Sequence, residues 1–213
     1  MFPDLRLEVM DRFTSLEQYF RKSGRYRGQL SQTARGLVFV QIYAIHEYTI
    51  VNALKLAIET IASHSHSYSD LRPSLLAMFL NPELCSLRDC GLANVWERRI
   101  ALLDRAVSRD TVQLSNPPMP NDGSHFRHTQ IKLVLKVLGV TRAPTARRRH
   151  LYRIDEVVDN RNSIAHGEQT AAEVGRAYSN GDIWTSIRQM KNACLRLVMI
   201  VEEHCNEPAN HCR

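Results

Sequence analysis

Apolar residues recur at three- and four-residue steps along almost the whole chain, and the alternation expected of strands is absent. That rhythm predicts an all-α protein. Leu5, Val9, Phe13, Leu16 and Phe20 mark a first helix, closed by the Gly24 to Gly28 region. A long helix is expected from about Ser31 to Ala62, with Leu37, Val40, Tyr43, Ala44, Glu47, Val51, Leu54 and Ile58 on its rhythm. Shorter helices are expected over 71–80 and 92–107, the second anchored by Trp96, Ile100 and Leu103. Periodicity resumes with Ile131, Val134, Leu135 and Leu138 and stops at Gly139. A further amphipathic helix carries Leu151, Ile154, Val157 and Val158 and ends at Gly167, where a glycine suits the C-terminal turn. Thr170-Ala171-Ala172-Glu173 has the spacing of a capping box. A last helix from about Asp182 sets Ile183, Ile187, Met190, Cys194, Leu197, Val198 and Val201 on one face.

The polar intervals divide these helices. Ser115 to Gly123 contains three prolines and a glycine, which exclude helix and predict a Pro-rich loop, either a segment near a site or a connector. Ser63 to Ser69 is a polar break. The segment after Glu203 is polar and is expected to fray, over about 205–213. A chain of 213 residues without an internal repeat is expected to form one domain, 1–213.

Composition narrows the function classes. Hydrophobic residues make up 44% of the chain, which suits a folded core. The net charge of +6 mildly favours an anionic partner such as nucleic acid, although an ordinary basic protein carries as much. An acid, Asp4, stands where a basic leader would begin, and the apolar runs Leu37 to Ile45 and Leu195 to Val201 are short and broken by Gln41 and Arg196. Neither a secretory signal nor a membrane segment is expected. Five cysteines at irregular spacings fit reduced thiols, so the expected location is cytoplasmic. His64 and His66 could hold a metal, but no third ligand stands near them in sequence. His204-Cys205 and His211-Cys212 form a symmetrical pair whose spacing matches no zinc motif.

The most informative string is Arg161-Asn162-Ser163-Ile164-Ala165-His166-Gly167. Arg is permanently charged, and its planar fork of donors suits phosphate. His both takes and gives a proton near neutrality. Five residues separate the two, roughly 500° around a helix and about 7.5 Å along it, so they would flank a substrate rather than touch. Upstream, Arg147, Arg148 and Arg149 form a basic run, either a rail for flanking RNA phosphates or a solvated helix start. Glu47 falls within an apolar rhythm. It either pairs with a cation such as Arg161 or stands at the rim of the helix face.

This string resembles the Arg-x4-6-His signature of the HEPN superfamily, in the Arg-Asn-x-x-x-His form of its RNA-cleaving branches. Gln41 to Tyr48 is similar to the early helix of prokaryotic HEPN families, which often carries a Glu, here Glu47. Asp122 to Val140 resembles the segment that precedes the motif helix. The resemblance implies an all-α, single-domain helical bundle and metal-independent RNA cleavage through the 2′-hydroxyl. His166 would be the general acid or base, Arg161 the phosphate-binding cation and Asn162 an orienting amide. No metal or other cofactor is implied. One imidazole supplies one proton-transfer group, and HEPN proteins meet the need for two with a homodimer that brings two motifs to one groove. Family habit further implies a toxin-like or defence effector held by an antitoxin protein. The alternative is a non-catalytic HEPN module that binds RNA, nucleotide or a partner protein. A helical scaffold with a chance motif is the third reading.

Overall fold

The computed structural model describes residues 1–112, 126–143, 145 and 149–212. The Pro-rich stretch 115–123, Arg147, Arg148 and the side chain of Arg149 lie outside the described residues. The described residues form an all-α protein with no β-strand. Its helices are α1 (Phe2–Ser23), α2 (Gly28–Ser63), α3 (Pro73–Phe79), α4 (Asn81–Asp89), α5 (Val95–Val107), α6 (His128–Leu138), α7 (Arg149–Ala165), α8 (Ala171–Arg176) and α9 (Asn180–Cys205).

The 36-residue α2 is the axis of the bundle, with α1, α7, α8 and α9 packed around it. Phe39, Ile42, His46, Ile50, Ala53 and Ala57 are buried at helical spacing and meet Phe13 and Leu16 of α1, Ile154 and Val158 of α7, and Ile187, Cys194 and Val201 of α9 in one core. The face of α2 differs from the expectation, since Leu37, Ala44 and Glu47 are exposed. The helix is apolar nearly all round, so the sequence rhythm does not fix which side is innermost. By length and composition α2 is apolar enough to cross a membrane, with a mean hydropathy of 1.3 over its best window. However, 56% of that window is buried within the bundle, as befits a core helix.

Helix ends follow local chemistry. Gly139 and Gly167 take left-handed φ angles of 82° and 73°, closing α6 and α7. The Thr170–Glu173 capping box is formed, and a second, Ser179–Asp182, starts α9. Asp155 of α7 caps α6 by accepting the His128 backbone N–H at 3.0 Å. α8 crosses α2 backbone to backbone. A Cβ on Gly36 would overlap the Ala171 carbonyl, and one on Gly175 would overlap the Gln32 carbonyl. Arg35 Nε donates to the Gly175 carbonyl at 2.8 Å across this crossing.

Two further expectations are corrected. Trp96, Ile100 and Leu103 do not anchor α5, being 70%, 58% and 65% exposed. Their periodicity is real, but α5 meets chiefly α4 and the turn around Tyr68, which leave that stripe uncovered. The segment after Cys205 does not fray either. Pro208–His211 form a turn of 3-10 helix, His211 is fully buried, and Leu71 pairs with Cys212 in an antiparallel bridge.

Candidate functional site

The Arg161–His166 string stands at the C-terminal end of α7, held by contacts that begin one turn earlier. Asn160 Nδ2 donates to the Tyr178 hydroxyl at 2.8 Å, and that hydroxyl donates to Glu156 Oε1 at 3.1 Å. The Tyr178 ring rests on Phe39 of α2, with centroids 4.7 Å apart. Arg127 and Asp159 pair at 2.5 Å and tie the start of α6 to the same stretch. The helix end is therefore fixed from three sides before the motif begins.

Arg161 is half-buried. Its guanidinium carbon lies 4.7 Å from the centroid of the Tyr43 ring, and one of its terminal nitrogens donates to Asn162 Oδ1 at 3.1 Å. A cation over an aromatic face gains about 0.5–2 kcal/mol and has its plane set by the ring. The Tyr43 hydroxyl donates to Glu47 Oε1 at 3.2 Å. Burial first, then the charge and hydrogen bond of Glu47, push the Tyr43 phenol up to about 12, with Arg161 opposing them, so it stays a neutral donor. Glu47 is exposed, the rim placement of the two that its sequence position allowed. Tyr43 stands between Glu47 and Arg161 in this chain of contacts.

His166 is exposed just past the last helical residue, Ala165. Its backbone N–H still bonds the Asn162 carbonyl at 2.9 Å, and the Gly167 N–H reaches the Ile164 carbonyl at 3.2 Å. The left-handed Gly167 then turns the chain away, and Gln169 N–H closes the turn on the Ser163 carbonyl at 3.1 Å. The imidazole thus sits at the negative end of the α7 dipole. Together, the half-buried Arg161 and Asn162 and the exposed His166 offer a planar cation, an amide and a proton-transfer group on one helix end.

One residue of the candidate site, Tyr43, escaped the sequence reading. Tyr43 lies four positions before Glu47, and that one-turn spacing is the available signal; its partner Arg161 is contributed by a distant helix. Next to it, the buried His46 has its Nε2 3.0 Å from the Phe126 carbonyl, so that nitrogen carries the proton. Burial pushes His46 down to about 4. A cavity of about 850 Å³, lined by Arg72, Lys132, Lys136, Arg142 and Leu151 among others, does not include the motif.

The profile of the MAE_28990-like HEPN family matches residues 9–197, which span the site and nearly the whole helical core. No curated protein and no solved structure matches the chain. HEPN domains are associated in general with nuclease or RNA-related functions. The extent of the match, together with the all-α bundle and the Arg-Asn-x-x-x-His string on its helix end, places the chain in the MAE_28990-like HEPN family.

Proposed function

We propose that the chain is a metal-independent endoribonuclease. The 2′-hydroxyl attacks the adjacent phosphorus, the P–O5′ bond breaks, and the products are a 2′,3′-cyclic phosphate and a 5′-hydroxyl. Arg161 holds the scissile phosphate and the charge that grows on its equatorial oxygens. His166 takes the proton from the 2′-hydroxyl or gives one to the leaving oxygen, a role worth typically 10²–10⁴-fold. Asn162 orients the Arg161 fork through the 3.1 Å bond between them. Glu47 supports the site through Tyr43. Arg147, Arg148 and Arg149 supply a rail for flanking phosphates.

The observation that carries this reading is the preset Arg161, stacked on Tyr43 and bonded to Asn162 beside an exposed His166. A homodimer with an isologous interface would bring a second His166 to the groove, providing both the base and the acid that transesterification requires. The biological setting proposed is a cytoplasmic toxin-like or defence effector, restrained by an antitoxin protein. The test is incubation of purified protein with structured and single-stranded RNA in EDTA, followed by end-group analysis. Cyclic phosphate ends are expected. Strict dependence on magnesium or manganese, or 3′-hydroxyl ends, rejects the mechanism, and RNA binding without cleavage favours the non-catalytic module.

A further inference from the structure

A cavity of about 850 Å³ opens beside the first turn of α7, whose Leu151 lies about 15 Å along that helix from Arg161. Its size falls within the roughly 300–1,000 Å³ of small-molecule sites. Leu151, together with Leu135 of α6 and Val140 just beyond it, gives the cavity an aliphatic floor, and all three are buried. Four cations border that floor. Arg72 precedes α3, Lys132 and Lys136 stand one turn apart on α6, and Arg142 lies in the segment after it.

Every charged side chain among the described residues of this lining is basic. A cleft of one sign with low-dielectric walls focuses its field and concentrates ions of the opposite charge. Glu203 of α9 offsets Arg142, but Arg72, Lys132 and Lys136 enter no ion pair among the described residues. Arg72 is also fixed in the wall. Its guanidinium packs on Gly139, and a Cβ there would overlap it. A planar fork of donors so placed suits the oxygens of a carboxylate or phosphate.

The floor decides what body the anion carries. Among the described lining residues no aromatic ring offers to stack a base, and no carboxylate or amide side chain reads a base edge. That disfavours a nucleotide. The recessed position of Leu135, Val140 and Leu151 disfavours a bilayer, which takes up apolar side chains that protrude. We propose that the cavity binds a free single-chain anionic amphiphile, an aliphatic tail bearing a carboxylate or phosphate head. The tail covers Leu135, Val140 and Leu151, and the head sits among Arg72, Lys132 and Lys136. Such a ligand bridges α6 and the start of α7, at the end of α7 away from His166. The site does not use Arg161 and does not depend on the nuclease reading.

The test is calorimetric titration of the full chain with dodecanoate below its micelle concentration, beside dodecanol and dodecyltrimethylammonium. One dodecanoate per chain is expected, bound more tightly than either control. From octanoate to dodecanoate the affinity should rise by up to about fourfold per added methylene. The double variant Lys132→Ala, Lys136→Ala changes two exposed residues and should keep its circular dichroism, yet bind roughly 3- to 30-fold more weakly. Arg98→Ala with Arg99→Ala, beside the exposed stripe of α5, should leave binding unchanged. No saturable uptake by the folded parent overturns the proposal, as does equal affinity for dodecanol. A loss in the α5 variant instead of the lysine variant moves the site to that stripe and overturns it too. Tighter binding of AMP than of dodecanoate, or binding to anionic phospholipid vesicles without uptake of free dodecanoate, likewise rejects it. His166→Ala should lose RNA cleavage and bind dodecanoate as the parent does. A chain that cleaves RNA yet takes up no dodecanoate sinks this proposal and leaves the nuclease standing.

Discussion

Arg161 gains its orientation from a ring contributed by another helix, and that contact makes distinct predictions. Tyr43→Phe keeps the aromatic face and should retain most activity, whereas Tyr43→Leu removes the cation–π contact and should reduce cleavage by roughly 2- to 30-fold, the rate equivalent of about 0.5–2 kcal/mol. Single-turnover rates on a short RNA measure the difference. Arg161→Ala should lose cleavage and part of the RNA affinity, since a phosphate-holding cation serves ground and transition states alike. Arg161→Lys should restore little, because an ammonium lacks the planar fork. His46 predicts a stability effect instead. Its folded-state value of about 4 lies below its ordinary 6.5, so its contribution is fully present above pH 6.5. It is lost as the pH falls from 6.5 to 4, by roughly 3 kcal/mol, because only the unfolded chain takes the proton. Urea midpoints measured across that window should fall with acidification; a flat profile contradicts a neutral buried His46. At this scale the motif was legible because Arg161, Asn162 and His166 are local in sequence. The role of Tyr43 was not, because stacking between distant helices leaves no local spacing to read.

Among the elements, α8 is the short piece that decides where the motif turn can lie. It follows Gly167 directly and crosses α2 with no side chain between the backbones at Gly36 and Gly175. Gly175→Ala would gain about 1 kcal/mol of helix propensity, but overlap with fixed backbone costs about 1–3 kcal/mol or more. A net loss is expected, read as a thermal midpoint lower by several degrees; an unchanged midpoint means that the crossing is looser than described. Exposure makes the opposite prediction for α5. Ile100→Ser should change stability by no more than about 0.5 kcal/mol, whereas Ile154→Ala in α7 should cost about 2–5 kcal/mol. Equal losses from the two would place the α5 stripe in a core. The sequence rhythm located α1, α6, α7 and α9 with their buried faces because each is apolar on one side. It misjudged α2, which is apolar all round, and α5, whose stripe is regular but uncovered. Periodicity reports that a face exists, and only packing decides whether anything meets it.

For the whole molecule, the all-α class followed from the period of the apolar residues, while the return of the last segment did not. Polar composition after Glu203 suggested fraying, yet the partners that bury His211 come from the far end of α2 and are invisible to a local reading. The assembly has its own prediction. In a mixed dimer with one His166→Ala chain, activity well below half is expected if both imidazoles serve one groove, and retention of half rejects the shared groove while keeping the motif. The central claim, that Arg161 and His166 cleave RNA without a metal, is tested most directly by comparing the parent chain with His166→Ala on one defined RNA in EDTA. Circular dichroism in the same buffer establishes that both are folded. The parent should release fragments with 2′,3′-cyclic phosphate and 5′-hydroxyl ends, and His166→Ala should bind the RNA with similar affinity but release none. Cleavage by His166→Ala at the parental rate contradicts the account.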